Sequence, residues 1–201
     1  MTPPPDTRTR LLEAARALFV EHGFAEASTR AIASKAGCNL AMISHYFGSK
    51  EGLFKELMLE LLTRLEQNFR TQFSGPGTFE AKVHAFVDGM VDTMDENAPL
   101  MRAMNREIAS PDHPFLTEIL PTIKQFKASF HKLLEDAREA GTIRKDLDPE
   151  MCGFLLGGMI QHYFALYPTA CQVIGPRTDA RVAELKRHIA AIFLGGVVQR
   201  P

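Results

Sequence analysis

The chain has no tryptophan, three tyrosines and three cysteines in 201 residues. Cys38, Cys152 and Cys171 have neither paired nor metal-ligand spacing. They therefore suggest no disulfide framework and no metal cluster, and they suit a reducing compartment. An excess of one charge is missing too, since 23 Lys and Arg stand against 24 Asp and Glu, for a net charge of −1. Such a chain does not bind nucleic acid through an overall basic field. No apolar run approaches the roughly 18 residues of a membrane span, and the Pro-rich, charged start lacks the apolar segment of a secretory leader. A cytoplasmic location without membrane contact is expected. No Gly-rich phosphate loop follows a strand, no nucleophile motif occurs and no His pair has zinc-ligand spacing. No catalytic residue, metal site or cofactor is therefore expected.

What the sequence has is helical periodicity. Leu11, Leu12, Ala15, Leu18 and Phe19 form one apolar stripe that spells an amphipathic helix. Asp6 or Thr7 can cap it and Gly23 stops it. Ser28 opens a second helix whose Ile32, Ala33 and Ala36 face inward. Gly37 supplies a turn, and Asn39 caps a third helix of two turns with Ile43, Tyr46 and Phe47 inside. Ser49 caps a fourth that runs to about residue 73. Further helical patterns cover 78–97, a shorter segment from Pro99 to residue 110, 115–140, 149–167 and 179–198. Pro121 should kink the 115–140 helix or split off its first turn. No alternating strand pattern occurs, so the fold class is all-α, with about nine helices.

Residues 28–50, STRAIASKAGCNLAMISHYFGSK, hold the chemistry. Two short helices separated by a glycine turn are poor value for a core but suit a helix pushed into a DNA groove. Ser28 and Thr29 offer hydroxyls and free backbone N–H groups to a phosphate. Arg30 reaches either a phosphate or a guanine edge. Ala41 and Ser44 are small enough to let the helix sit deep, while Leu40, Met42 and His45 lie on its outer face. Lys50 adds a cation at a helix start, where a phosphate fits. The first 50 residues carry six basic and four acidic side chains, a weak positive bias.

Residues 10–57 resemble the DNA-binding domain of the TetR family of bacterial transcriptional regulators. The landmarks are Leu18-Phe19, Gly23-Phe24, Ser28-Thr29-Arg30, Ile32-Ala33, Ala36-Gly37, Ile43, His45-Tyr46-Phe47 and Ser49-Lys50-Glu51. The resemblance implies a three-helix helix-turn-helix domain over 1–52 and a helical-bundle domain for ligand binding and dimerisation over 53–201. It implies a homodimer that binds a palindromic operator in double-stranded DNA and is released by a small molecule. By position, Thr29, Tyr46 and Lys50 match phosphate-contacting places, whereas Arg30, Leu40, Ala41, Met42, Ser44 and His45 match base-facing ones. Two positions depart from the family pattern: Leu40 is commonly polar or basic, and Ser44 is commonly tyrosine. Leu40 and Met42 can touch thymine methyls but cannot hydrogen-bond a base edge. Polar readout therefore leans on Arg30 and His45.

In the C-terminal part, Phe86, Met90, Met94, Met101, Met104, Phe126 and Phe130 are candidates to line an apolar effector pocket. Arg106, His131, Gln161 and Tyr163 are its candidate polar anchors. The effector expected is largely apolar or amphipathic; the alternatives are a protein partner in its place and, remotely, a helical enzyme. Glycines within 149–167 cost roughly 1 kcal/mol each relative to alanine, so close approach of another helix should compensate. Gly153, Leu156, Gly157, Ile160 and Phe164 on that helix are assigned to a dimer interface. Ile189, Ile192, Phe193 and Gly196 on the last helix join them in a four-helix bundle.

Overall fold

The computed structural model describes residues 6–107 and 114–199. Among these it holds nine α-helices and no strand: α1 (Thr7–His22), α2 (Thr29–Lys35), α3 (Ala41–Phe47), α4 (Lys50–Ser74), α5 (Phe79–Glu96), α6 (Ala98–Glu107), α7 (Pro114–Glu139), α8 (Pro149–Ile174) and α9 (Asp179–Val197). The expected all-α architecture is what the chain adopts. Two compact units divide it: Met1–Leu62 with Asn97–Leu120, and Thr63–Glu96 with Pro121–Pro201.

In the first unit, local chemistry starts and stops each helix. Asp6 accepts the Thr9 N–H at 2.7 Å to open α1, and Gly23, at φ 83°, closes it by donating to the Phe19 carbonyl. Ser28 accepts the Ala31 N–H at 3.1 Å to open α2. Gly37 takes the left-handed φ of 63° that turns the chain towards α3. The Asn39 carboxamide then accepts the Ala41 N–H at 2.9 Å, and Ser49 accepts the Gly52 N–H at 3.1 Å to open α4. Beneath these caps Leu11, Phe19, Ile32, Ile43, Leu53 and Leu57 are fully buried. The rings of Phe19, Phe24 and Phe54 pack with centroids 4.8–5.9 Å apart.

In the second unit, α5 packs against α8 and α9, and α8 against α9. Asp148 accepts the Glu150 N–H at 3.0 Å with Pro149 at the first helical position, and Thr178 accepts the Arg181 N–H to open α9. Phe69, Phe73, Phe86, Phe126 and Phe130 form a continuous aromatic cluster, its tightest pair Phe86–Phe130 at 4.4 Å. An isolated bridge joins Ile143 to Val198 and ties the end of α9 to the turn after α7.

Of the two alternatives for Pro121, it does not split α7, which runs as one helix with the proline inside. A proline inside a helix costs about 3 kcal/mol, and the buried Ile119, Phe130 and Leu134 on either side offset it. α8 does not end at 167 but runs through the proline at 168 to Ile174, where Gly175, at φ 88°, closes it.

Candidate nucleic-acid interface

Helix α3 is held from behind. Ile32, Ala33 and Ala36 of the α2 segment and Ile43 of α3 are all buried, so the two short helices share one apolar seam. That seam leaves Arg30, Asn39, Leu40, Ala41, Ser44, His45 and Tyr46 exposed, with Thr29 and Met42 half-buried at the edges and the Ser28 side chain capping α2 at the surface. Tyr46 was expected inside and is not. At 100° per residue it lies off the side of Ile43, whereas Phe47 swings back inward and is half-buried. The His45 and Tyr46 rings meet edge to face at 4.9 Å, which restrains both at the outer surface.

The cations differ in what they are free to do. Arg30 and Lys35 have no side-chain partner among the described residues. Arg8 is paired with Glu56 and lies 5.5 Å above the Phe47 ring. Lys50 is engaged: its Nζ donates to the carbonyls of Phe24 at 2.7 Å, Ala27 at 3.1 Å and Ala25 at 3.4 Å. It also stands 4.5 Å from the Phe24 ring centroid. The α4 N-terminus already holds a carboxylate, because Glu51 is pushed below the usual carboxylate range by its own backbone N–H and the Ser49 hydroxyl. Lys50 thus stitches the α1–α2 loop to the start of α4.

Two residues that matter here were not singled out in the sequence. A methyl group at Gly52 would fall 2.0 Å from the Phe47 carbonyl oxygen, so only glycine lets α4 begin directly against the end of α3. Lys35 is an unpaired cation in the last turn of α2. The exposed-basic-residue signal that picked out Arg30 could have found it; nothing in the sequence shows the approach at Gly52.

In the second unit, Phe86, Met90, Met94 and Phe130 are buried, and Phe126, His131, Gln161 and Tyr163 are half-buried. Met101 is buried but belongs to the first unit. The side chains of Met104 and Arg106 lie outside the described residues. An open hollow of about 460 Å³ lined by Arg144, Asp146, Gly195, Gly196, Val198 and Gln199 takes in none of the expected effector residues. Among the described residues no group of His, Cys, Asp or Glu is placed to hold a metal ion, and no helix is long and apolar enough to cross a membrane.

The expected dimer set also divides. Leu156, Ile160, Phe164, Ile189 and Phe193 are buried inside the protomer, so they cannot face a second copy. A methyl group at Gly153 would meet the Phe130 ring at 3.2 Å, so this glycine admits a neighbour of its own chain. Gly157, Gly196 and Ile192 remain, with open space beside both glycines and Ile192 64 % exposed.

Known proteins align with this arrangement. The family model described as "Bacterial regulatory proteins, tetR family" matches residues 11–57, and the one described as "Tetracyclin repressor-like, C-terminal domain" matches residues 76–169. The HTH-type transcriptional regulator UidR of Escherichia coli K12 is 30 % identical over 151 residues, covering 75 % of this chain and 76 % of its own length. In structure, the fatty acid degradation regulator FadR from Bacillus halodurans superposes with a TM-score of 0.80 at 20 % identity, covering 99 % of this chain and 100 % of its own. FadR from Bacillus subtilis, solved in complex with stearoyl-CoA, gives 0.78 at 17 % identity over 94 % of this chain and 98 % of its own. With family models matched over both parts of the chain and a relative 30 % identical over three quarters of it, the chain belongs to the TetR family and is a DNA-binding transcriptional regulator.

Proposed function

We propose that the chain is a homodimeric repressor that reads a palindromic operator through α3 and leaves it when a small, largely apolar molecule enters the second unit. Its place of work is the cytoplasm, where the DNA is. The observation that carries the reading is the outer face of the helix-turn-helix. Arg30 has no partner among the described residues, His45 is exposed and restrained by Tyr46, and the apolar seam behind them fixes both. Leu40, Ala41, Met42 and Ser44 supply shape and apolar contact, while Ser28, Thr29, Asn39 and Tyr46 are at hand for the backbone. Lys50 supports this surface from within.

Support for the effector comes from the second unit's aromatic cluster and from the B. subtilis relative, which was solved with stearoyl-CoA. The route proposed for the signal is α4, one uninterrupted helix that carries residues of both units. A tilt of its far end shifts the spacing of two reading helices, which must meet major grooves about 34 Å apart. The test is operator selection from random DNA, followed by titration at fixed salt. Arg30→Ala and His45→Ala together should weaken operator binding about a hundredfold, at 1–3 kcal/mol for each polar base contact. Wild-type affinity and specificity in the double variant would overturn the assignment.

A further inference from the structure

We infer that the second unit holds an effector site anchored by the Glu66 carboxylate, and that its occupant is a lipophilic amine bound as its ammonium ion. The inference rests on the small-effector reading above and names the class of molecule. Among the described residues Glu66 is the single buried side chain that carries a charge, and its Oε1 has no hydrogen-bond partner. Among the described residues its ion-pair neighbour is Arg70, one turn further along α4. Its Nε lies 3.6 Å from Oε1, too far for a hydrogen bond, and its side chain is 66 % exposed. A solvated guanidinium at that distance compensates a buried carboxylate poorly.

The register of α4 puts Glu66 one turn before Phe69, the first ring of the aromatic cluster along that helix. Glu66 shares a face of α4 with Phe69 and Phe73, three and seven residues on. The Phe69 ring packs against Phe86 and Phe126 and lies 3.3 Å from where a Gly89 side chain would start. Phe73 pairs with Phe86, and Phe69 with Phe86 and Gly89, so α4 and α5 run antiparallel. One turn back from Phe69 to Glu66 is then one turn forward along α5, to the level of Thr93. A second buried oxygen without a partner in this unit is the Tyr163 hydroxyl of α8. Burial holds its proton more firmly than usual, and Tyr167 and the neighbouring Asp95 add to this. Asp95 is itself satisfied by a bidentate Arg177; Glu66 has no such partner.

A buried anion one helical turn from phenyl rings selects by charge. An ammonium group gives the carboxylate a charge-assisted hydrogen bond and gains from the ring faces. A carboxylate or phosphate brought to the same place adds like charge in a low-dielectric setting. Glu66 lies just past Leu62 and Thr63, where α4 passes from the first unit to the second. Occupancy therefore acts on the helix that leaves the DNA-binding unit.

The experiment titrates the full-length protein with three probes of one shape, naphthylmethylamine, naphthylmethanol and naphthoate, by isothermal calorimetry. The amine should bind at least about tenfold tighter than the alcohol, and naphthoate should not bind detectably. Glu66→Gln should remove the preference for the amine and leave alcohol binding within about twofold, which also reports that the variant is folded. Naphthoate binding as tightly as the amine, an amine preference that survives Glu66→Gln, or no binding of any probe would overturn the anchor. Operator titration separates the two readings. An amine that binds through Glu66 without releasing DNA upholds the anchor and defeats small-molecule derepression.

Discussion

Lys50 shows how a residue type can match two roles and the packing decide between them. Its place at the start of α4 suits a phosphate contact, but its three donors face the Phe24, Ala25 and Ala27 carbonyls. Each hydrogen bond to a charged group is worth about 1.5–3 kcal/mol when well buried, and less at this half-buried site. Lys50→Met should lower the melting temperature by several degrees, in line with roughly 2–4 °C per kcal/mol for a chain of this size. The salt dependence of operator binding should be unchanged. A phosphate contact behaves the other way, with an unchanged melting temperature and a salt slope smaller by roughly 0.9. Differential scanning calorimetry and DNA titration across salt concentrations tell the two apart.

At the scale of helices, the starts of α1 and α4 carry their own pH dependence. Asp6 is held below the usual carboxylate range by the Thr9 N–H, and Glu51 by its own N–H and the Ser49 hydroxyl. A depressed carboxyl contributes stability that is complete above its ordinary value, 4.5 for Glu51, and is lost as pH falls through the folded value. Amide exchange should therefore accelerate at Gly52 as pH drops below 4.5 and at Thr9 as it drops below 3.8, after correction for intrinsic rates. Exchange at the buried Leu57 should follow only global unfolding. Unchanged protection at Gly52 down to full protonation would remove the Glu51 contribution. These caps were legible in the sequence because a cap is a local bargain between one side chain and an N–H two or three residues on. Asp6, Ser28, Asn39 and Ser49 all answer to that rule. Less local matters were not legible. The reach of Lys50 depends on a loop more than twenty residues away. The close approach at Gly52 exists only once α3 and α4 are folded against each other.

The face by which two copies would meet is a property of the whole molecule. α8 is apolar nearly all round, so its periodicity cannot say which side its own subunit uses. The structure turns Leu156, Ile160 and Phe164 inward and leaves Met151, Phe154, Leu155 and Leu166 about half exposed or more, with Ile192 exposed on α9. Positions 151, 154, 155, 158, 162 and 166 recur every three or four residues, one continuous stripe along α8. A stripe of that size on a surface asks for a cover, and a second copy supplies one with the same stripe. Adjacent residues then make a sharp test. Leu155→Asp should leave the melting temperature of the protomer near that of the wild type while shifting sedimentation from dimer to monomer. Operator affinity should fall by at least about a hundredfold, because each half-site must then be bound without its linked partner. Leu156→Asp places its charge in the protomer core and should unfold the chain before any question of assembly arises. A Leu155→Asp protein that stays dimeric would move the interface off this stripe.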